Sequence, residues 1–136
     1  MGYSMVRYVL SLCVLFVVGC PSLQGKWRLT QFEDVSSAYE HAIRWGDYDM
    51  AKGFRKKQDT DHQACHADKL DKIRVTSYEL LSSRPSVDMV RVRQAVKIRY
   101  YNAHQIIEKT LIDDQMWEYD ETEKTWYLRS GLPDFR

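Results

Sequence analysis

Val87-Asp88-Met89-Val90-Arg91-Val92-Arg93-Gln94-Ala95-Val96-Lys97-Ile98-Arg99-Tyr100-Tyr101 decides the fold class of this chain. Val90, Val92, Val96, Ile98 and Tyr100 share one parity, while Arg91, Arg93, Lys97 and Arg99 share the other. A period of two sends these sets to opposite faces of a strand, one apolar and one solvated. That alternation belongs to an antiparallel sheet packed on one side only. Working outward, Ile73 to Leu81 is rich in strand formers and is broken by Arg84-Pro85-Ser86. On the other side a turn at Asn102-Ala103 returns the chain into His104 to Tyr119. The acidic turn Asp120 to Lys124 then leads into Thr125 to Arg129, and Leu132-Pro133 closes the domain.

A two-residue turn at Asn102-Ala103 sets Lys97 opposite Glu108 and Arg91 opposite Asp114 on the outer face. Ile107 and Leu111 then meet Ile98 and Gln94 on the inner face. Opposite charges directly across an antiparallel pair stabilise by ~0.2–1 kcal/mol, so charge and burial support one register. A four-residue loop keeps the faces and changes the partners.

Ahead of the strands, Val35, Ala38, Tyr39, Ala42 and Ile43 follow the spacing of one apolar helical stripe. Asp34 and Ser36 are candidate N-caps, and Trp27, Leu29 and Phe32 extend the first helix backwards. Gly46 stops the helix after Trp45. Asp47 caps a second, shorter helix that buries Tyr48, Ala51 and Phe54. From Arg55 to Asp68 the chain is polar, with the cations Arg55, Lys56 and Lys57 followed by His62, Cys65 and His66, and reads as a surface connection. No internal repeat or low-complexity stretch is present.

The first residues carry a different signal. The apolar run Val9 to Gly19 falls far short of the ~20 residues that a membrane-crossing helix needs, and has the length of a signal-peptide core. It ends in Val17-Val18-Gly19-Cys20, which resembles the lipobox of bacterial lipoproteins. The resemblance implies cleavage after Gly19 and acylation of Cys20, with several acyl chains for a lasting anchor. An uncleaved short membrane helix and an ordinary secretory signal are the alternatives. Three parts follow: a removed signal at 1–19, a lipidated tether at 20–26 and a folded domain at 27–136. At ~3.5 Å per extended residue the tether keeps the domain within roughly 20 Å of the bilayer. The expected address is the bacterial cell envelope, lipid-anchored and facing the periplasm, with inner and outer membrane both open.

Charge narrows the partners. The chain has 20 Lys and Arg against 19 Asp and Glu. Losing residues 1–19, which hold Arg7 and no acid, equalises the two. Nucleic acid binding would require a basic excess, so nucleic acid is not expected. With Cys13 removed and Cys20 acylated, Cys65 stands alone, and stability must come from packing rather than from an intrachain disulfide.

Two helices followed by four long antiparallel strands resemble the nuclear transport factor 2-like, or cystatin-like, cone, an α+β fold in which a curved sheet wraps the helices. Ile43-Arg44-Trp45-Gly46-Asp47-Tyr48, Arg74-Val75-Thr76-Ser77-Tyr78-Glu79, Tyr100-Tyr101, Thr110 to Tyr119, Trp126-Tyr127-Leu128 and Leu132-Pro133-Asp134-Phe135 look like segments of a set of small uncharacterised proteobacterial lipoproteins. The cone family implies either small-molecule chemistry, as in isomerases, dehydratases and cyclases, or non-catalytic binding and assembly.

Individual residues weigh these options. His62, Cys65 and His66 make an H-x-x-C-H cluster, but haem attachment needs Cys at the first position. A metal would need three or four convergent ligands, drawn from Asp59, Asp61 and Asp68; solvated loop residues are the simpler reading, and neither metal nor cofactor is expected. Asp113 and Asp114 interrupt a strand, where Asp is unfavourable, and strict alternation turns Asp113 inward beside Gln94, Lys109 and Gln115. A buried carboxylate can serve as a general base, with Tyr100 as its partner. A β-bulge turning both acids outward, or an Asp113–Lys109 pair along the strand, is the plainer alternative. Tyr39, Tyr100 and Trp117 are candidates to line an apolar pocket if the cone mouth is open, and otherwise fill the core. The basic stripe on Val87 to Tyr101 reads as a solvated face. The expected function is therefore a lipid-anchored, non-catalytic binding or scaffolding module for another envelope component. The alternative is an isomerase- or dehydratase-like enzyme using Asp113.

Overall fold

A computed structural model describes residues 21–57, 70–105 and 107–136. Helices α1 (Pro21–Trp45) and α2 (Tyr48–Gly53) precede strands β1 (Ile73–Pro85), β2 (Arg91–Asn102), β3 (Glu108–Asp120) and β4 (Thr125–Leu128). The strands form one antiparallel sheet in the order β1-β2-β3-β4, with both helices packed on it. The class is α+β, as the alternation of β2 requires. Cys20, His62, Cys65 and His66 lie outside the described residues, as do residues 1–19 and most of the polar connection.

The stripe that defines α1 runs further back than Val35. Gly25, Phe32, Tyr39, Ala42 and Ile43 are buried, and Leu29 and Val35 pack at the margin of the core. Asp34 and Ser36 are therefore mid-helix residues and not caps. The Ser36 hydroxyl donates back to the Glu33 carbonyl at 3.2 Å. Residues 21–26, expected as an extended tether, are already helical. The helix ends as its sequence dictates. Gly46 takes φ +72, its N–H reaches Ile43 O at 3.3 Å and the Asp47 N–H reaches Ala42 O at 2.9 Å, the paired bonds of a Schellman cap. Asp47 then accepts from the Met50 N–H at 2.9 Å and opens α2.

Trp117, Trp126, Phe32, Tyr39 and Tyr119 fill the space between helix and sheet. Tyr39 meets Trp117 edge to face at 5.3 Å, and Phe32 meets Trp126 at 5.0 Å. Such pairs add ~0.5–1.5 kcal/mol beyond their burial. Two long-range bonds lock β4 to the helices. Trp126 Nε1 donates to Arg28 O and the Leu128 N–H donates to Phe54 O, at 2.9 and 2.8 Å.

The register between β2 and β3 differs from the expectation. Arg91 pairs with Glu118, Lys97 with Ile112 and Tyr101 with Glu108, a displacement of four residues that keeps every face and replaces every partner. The cause is the turn. Asn102 Oδ1 accepts from the His104 N–H at 3.0 Å and Asn102 O accepts from the Gln105 N–H at 2.9 Å, so Asn102 starts a longer loop than two residues. Ile107 consequently lies exposed before β3 begins, and not on the inner face. Lys97 takes its carboxylate from β1 instead, with Nζ 2.6 Å from Glu79.

Candidate functional site

Strand β1 carries two register shifts, at Val75/Ser77 and Leu80/Ser82. Each inserts an unpaired residue, and such bulges bend a strand and raise its twist. Between them Tyr78 returns to the inner side opposite Ile98, and beyond the second Ser83 faces Gln94. This end of the inner face is not filled by α1. A cleft of about 330 Å³ remains between α1 and β1. Leu29, Phe32, Leu80, Pro85 and Val92 supply its apolar surface. Tyr78, Ser83, Gln94 and the helix residues Glu33, Ser36, Ser37 and Glu40 supply its polar surface. Two carboxylates and no cation line it. Glu40 is held only loosely by Arg44, at 3.5 Å.

A buried polar chain leads inward from the cleft. The Gln115 side-chain amide donates to the Tyr78 hydroxyl at 2.9 Å and to Asp113 Oδ2 at 2.8 Å, while its oxygen accepts from Trp117 Nε1 at 3.1 Å. Asp113 is 9% exposed and Asp114 faces solvent, so strict alternation places both acids and neither the bulge nor the Lys109 pair occurs. Burial pushes the Asp113 carboxyl up to about 6. The Gln115 hydrogen bond pulls the value down, and the Asp114 charge adds to the rise. Burial also raises Tyr78, against the opposing Gln115 bond, and raises Tyr39 well above its ordinary value, with the Asp113 charge adding to the effect on both. The Tyr39 hydroxyl is buried and has no hydrogen-bond partner among the described residues.

The expected catalytic pair is not assembled. Asp113 pairs in register with Val96, four residues along β2 from Tyr100, a separation of about 13 Å at the rise of a strand. The Tyr100 hydroxyl is engaged elsewhere, donating to Arg136 O at 2.9 Å and accepting from the Arg136 N–H at 3.1 Å. Lys109, expected beside Asp113, also turns to Arg136 O, at 2.8 Å.

Nor do Tyr39, Tyr100 and Trp117 line one pocket. Tyr39 and Trp117 are fully buried against each other. Tyr100 packs on Phe135 at 4.8 Å and borders a second cavity, of about 460 Å³, with Lys72, His104, Lys109 and Arg136 at its margin. Sequence reasoning found Gln94, Asp113 and Gln115 by parity. It missed Tyr78 and Ser83, whose inward direction depends on the β1 bulges, and the helix residues of the cleft rim.

Among the described residues no group of His, Cys, Asp and Glu is arranged to hold a metal ion. No helix among them is long and apolar enough to cross a membrane. Comparison with family models, curated proteins and solved structures finds no match to this chain.

Proposed function

We propose that this chain is a lipid-anchored protein of the bacterial envelope whose folded part is a non-catalytic binding module, with the cleft between α1 and β1 as its ligand seat. The observation that carries this reading is the position of Asp113. Its carboxylate lies beneath the cleft floor, tied to Gln115, and among the described residues has neither Tyr100 nor a His as a proton-transfer partner. General acid–base work needs a group within hydrogen-bond reach of the substrate. The cleft itself offers what binding requires, an apolar surface with a few convergent polar groups. Glu33 and Glu40, with no cation among the cleft residues and Glu40 met only by Arg44 at 3.5 Å, favour a neutral or cationic ligand over an anion. In this reading the α+β body is a nuclear transport factor 2-like cone, supported by the two bulges that bend β1.

An enzyme of the isomerase or dehydratase kind is the second reading. It is favoured by a carboxyl with a value of about 6, in the range of catalytic bases, near the Tyr39 hydroxyl, which has no hydrogen-bond partner among the described residues.

One experiment covers anchor and cleft together. A photo-crosslinking residue is placed at Ser37 on the cleft rim, or at Thr110 on the solvated face, in the protein expressed in its own envelope. The expected result is a discrete adduct from Ser37, none from Thr110, and an intact mass showing acylated Cys20. Equal labelling from both positions would remove the cleft from the proposal. Turnover of an isomerisable ketone that disappears in Asp113→Asn would replace it with the enzyme reading.

A further inference from the structure

The inner face of the sheet ends, on the side away from the α1–β1 cleft, in the second cavity, of about 460 Å³. Its apolar wall is Ile73, Tyr100 and Phe135, the two rings meeting edge to face at 4.8 Å. Lys72, His104, Lys109 and Arg136 stand around it, and among the described residues no carboxylate lines it. The Ala103 N–H donates to Lys72 O at 2.9 Å, which ties the β2–β3 loop to the start of β1 and sets Lys72 and His104 on one rim. Lys109 reaches the same rim because it pairs in register with Tyr100 and shares its inward parity. The acids nearest in sequence are turned to other partners. Glu108 faces the outer side with Thr76 and Arg99, Asp134 holds Arg136 at 2.6 Å, and Asp71 and Arg74 stand near Tyr48 with opposed charges. Asp134 thus neutralises Arg136, whereas Lys72 and the His104 ring have no side-chain hydrogen bond or ion pair among the described residues. Lys109 gives one of its three N–H groups to Arg136 O, at 2.8 Å.

We propose that this cavity binds a small organic monoanion, its charged group met by Lys72 and Lys109 and its apolar body laid on Ile73, Tyr100 and Phe135. A cavity rimmed by one sign of charge, with low-dielectric walls, concentrates ions of the other sign. An inorganic anion would leave the aromatic wall unused, and an uncharged apolar molecule would leave two ammonium groups unanswered. A body and a charge on one molecule suit both parts of the lining. The His104 ring and the Asn102 side-chain amide, whose oxygen already accepts from the His104 N–H at 3.0 Å, add donors at the same rim. The opposite end of the inner face selects the other way, since Glu33 and Glu40 border the α1–β1 cleft. The two sites therefore differ in ligand as well as in place, and this one depends on neither the cleft reading nor an anchor.

The test uses the whole chain and the probes naphthoate, naphthylmethylammonium and acetate, followed through amide proton–nitrogen NMR spectra. Naphthoate should shift the signals of Ile73, Asn102 and Gln105 in a saturable way and leave those of Ser83 and Gln94 in place. The ammonium probe has the same body with the opposite charge, and acetate has the charge without the body. Each should bind here at least about tenfold more weakly than naphthoate. Lys72→Glu replaces an exposed side chain that no other described group holds, so the fold is not at stake. It should weaken naphthoate about tenfold and strengthen the ammonium probe, while Arg84→Glu on the outer face should do neither. No saturable shift at the cavity, equal binding of the two naphthyl probes, or indifference of naphthoate to Lys72→Glu would overturn the proposal.

Discussion

Gln115 holds Asp113 by a side-chain hydrogen bond of 2.8 Å while reaching Tyr78 with the same nitrogen, at 2.9 Å. One amide thus spends both of its N–H groups on two buried oxygens, and links the cleft floor to the carboxylate behind it. The arrangement satisfies Gln115 completely, because its oxygen accepts from Trp117. Among the described residues it leaves Asp113 with one good donor, for a group that, when charged, wants several.

The consequence is a pH dependence of stability. The folded Asp113 value, about 6, lies above the 3.8 of the free side chain, so the native state holds more protons than the unfolded chain between these values. Stability is greatest below the unfolded value and falls as pH rises through about 6. The decrease is ~3 kcal/mol at most. Asp113→Asn should flatten this dependence and raise stability at neutral pH by ~1–3 kcal/mol. Urea unfolding at several pH values between about 4 and 8 measures both. A variant less stable than wild type at neutral pH would mean that the carboxylate is supported by more than Gln115.

Tyr78→Phe should cost ~1–3 kcal/mol, since it removes the acceptor of a donor buried in Gln115. The side chain keeps its ring, so packing is little altered and the loss reports the hydrogen bond. Unfolding curves of Tyr78→Phe and of Tyr78→Phe with Gln115→Leu distinguish the cases. The double variant should not be worse than the sum of its parts, because the orphaned donor goes with the glutamine. A single variant within 0.5 kcal/mol of wild type, roughly the scatter of neutral surface changes, would show that water takes the place of the phenol.

Features set within one turn of the chain were legible in the sequence. The β2 faces follow from parity alone, and Val92, Val96, Ile98 and Tyr100 are buried while Arg91, Arg93 and Arg99 are exposed. Asp113 points inward for the same reason. Features set by two segments together were not legible. The β2–β3 register hangs on how Asn102 folds its own loop, and a shift of four preserves every hydrophobic contact class, so burial gave no signal against it. The cleft was hidden because it depends on where α1 crosses the sheet and on two bulges in β1, neither of which has a residue signature in Thr76 or Leu81. Extended residues 21–26 were expected because Gly25 and polar neighbours suggest a linker, yet they form the first turns of α1, with Gly25 buried against the flexible side chain of Met89.

Gly46 offers a local test of the helix end. Its φ of +72 costs an L side chain ~1–2 kcal/mol, and the two cap bonds cannot form without it. Gly46→Ala should therefore lower stability by ~1–2 kcal/mol, and Gly46→Asn, which tolerates this conformation better, by less. Thermal unfolding of the two variants gives the order. Equal stability of all three forms would show that the turn between α1 and α2 adopts another conformation.

The register itself can be tested from the solvated face. Glu79 and Lys97 stand 2.6 Å apart across β1 and β2, about half and one third exposed, so their coupling belongs to the ~0.2–1 kcal/mol range of surface cross-strand pairs. Glu108, the partner expected for Lys97 with a tight turn, instead accepts from the Thr76 hydroxyl at 2.7 Å and lies 4.0 Å from Arg99. Double-mutant cycles separate the two arrangements. The cycle built on Glu79→Ala and Lys97→Ala should show a coupling that shrinks as salt is raised. The cycle on Glu108→Ala and Lys97→Ala should be additive. Coupling in the second cycle and none in the first would restore the tight turn at Asn102-Ala103. It would also move Asp113 from Val96 to a position opposite Val92, away from Tyr78, so that the polar chain behind the cleft and the reading built on it would both be lost.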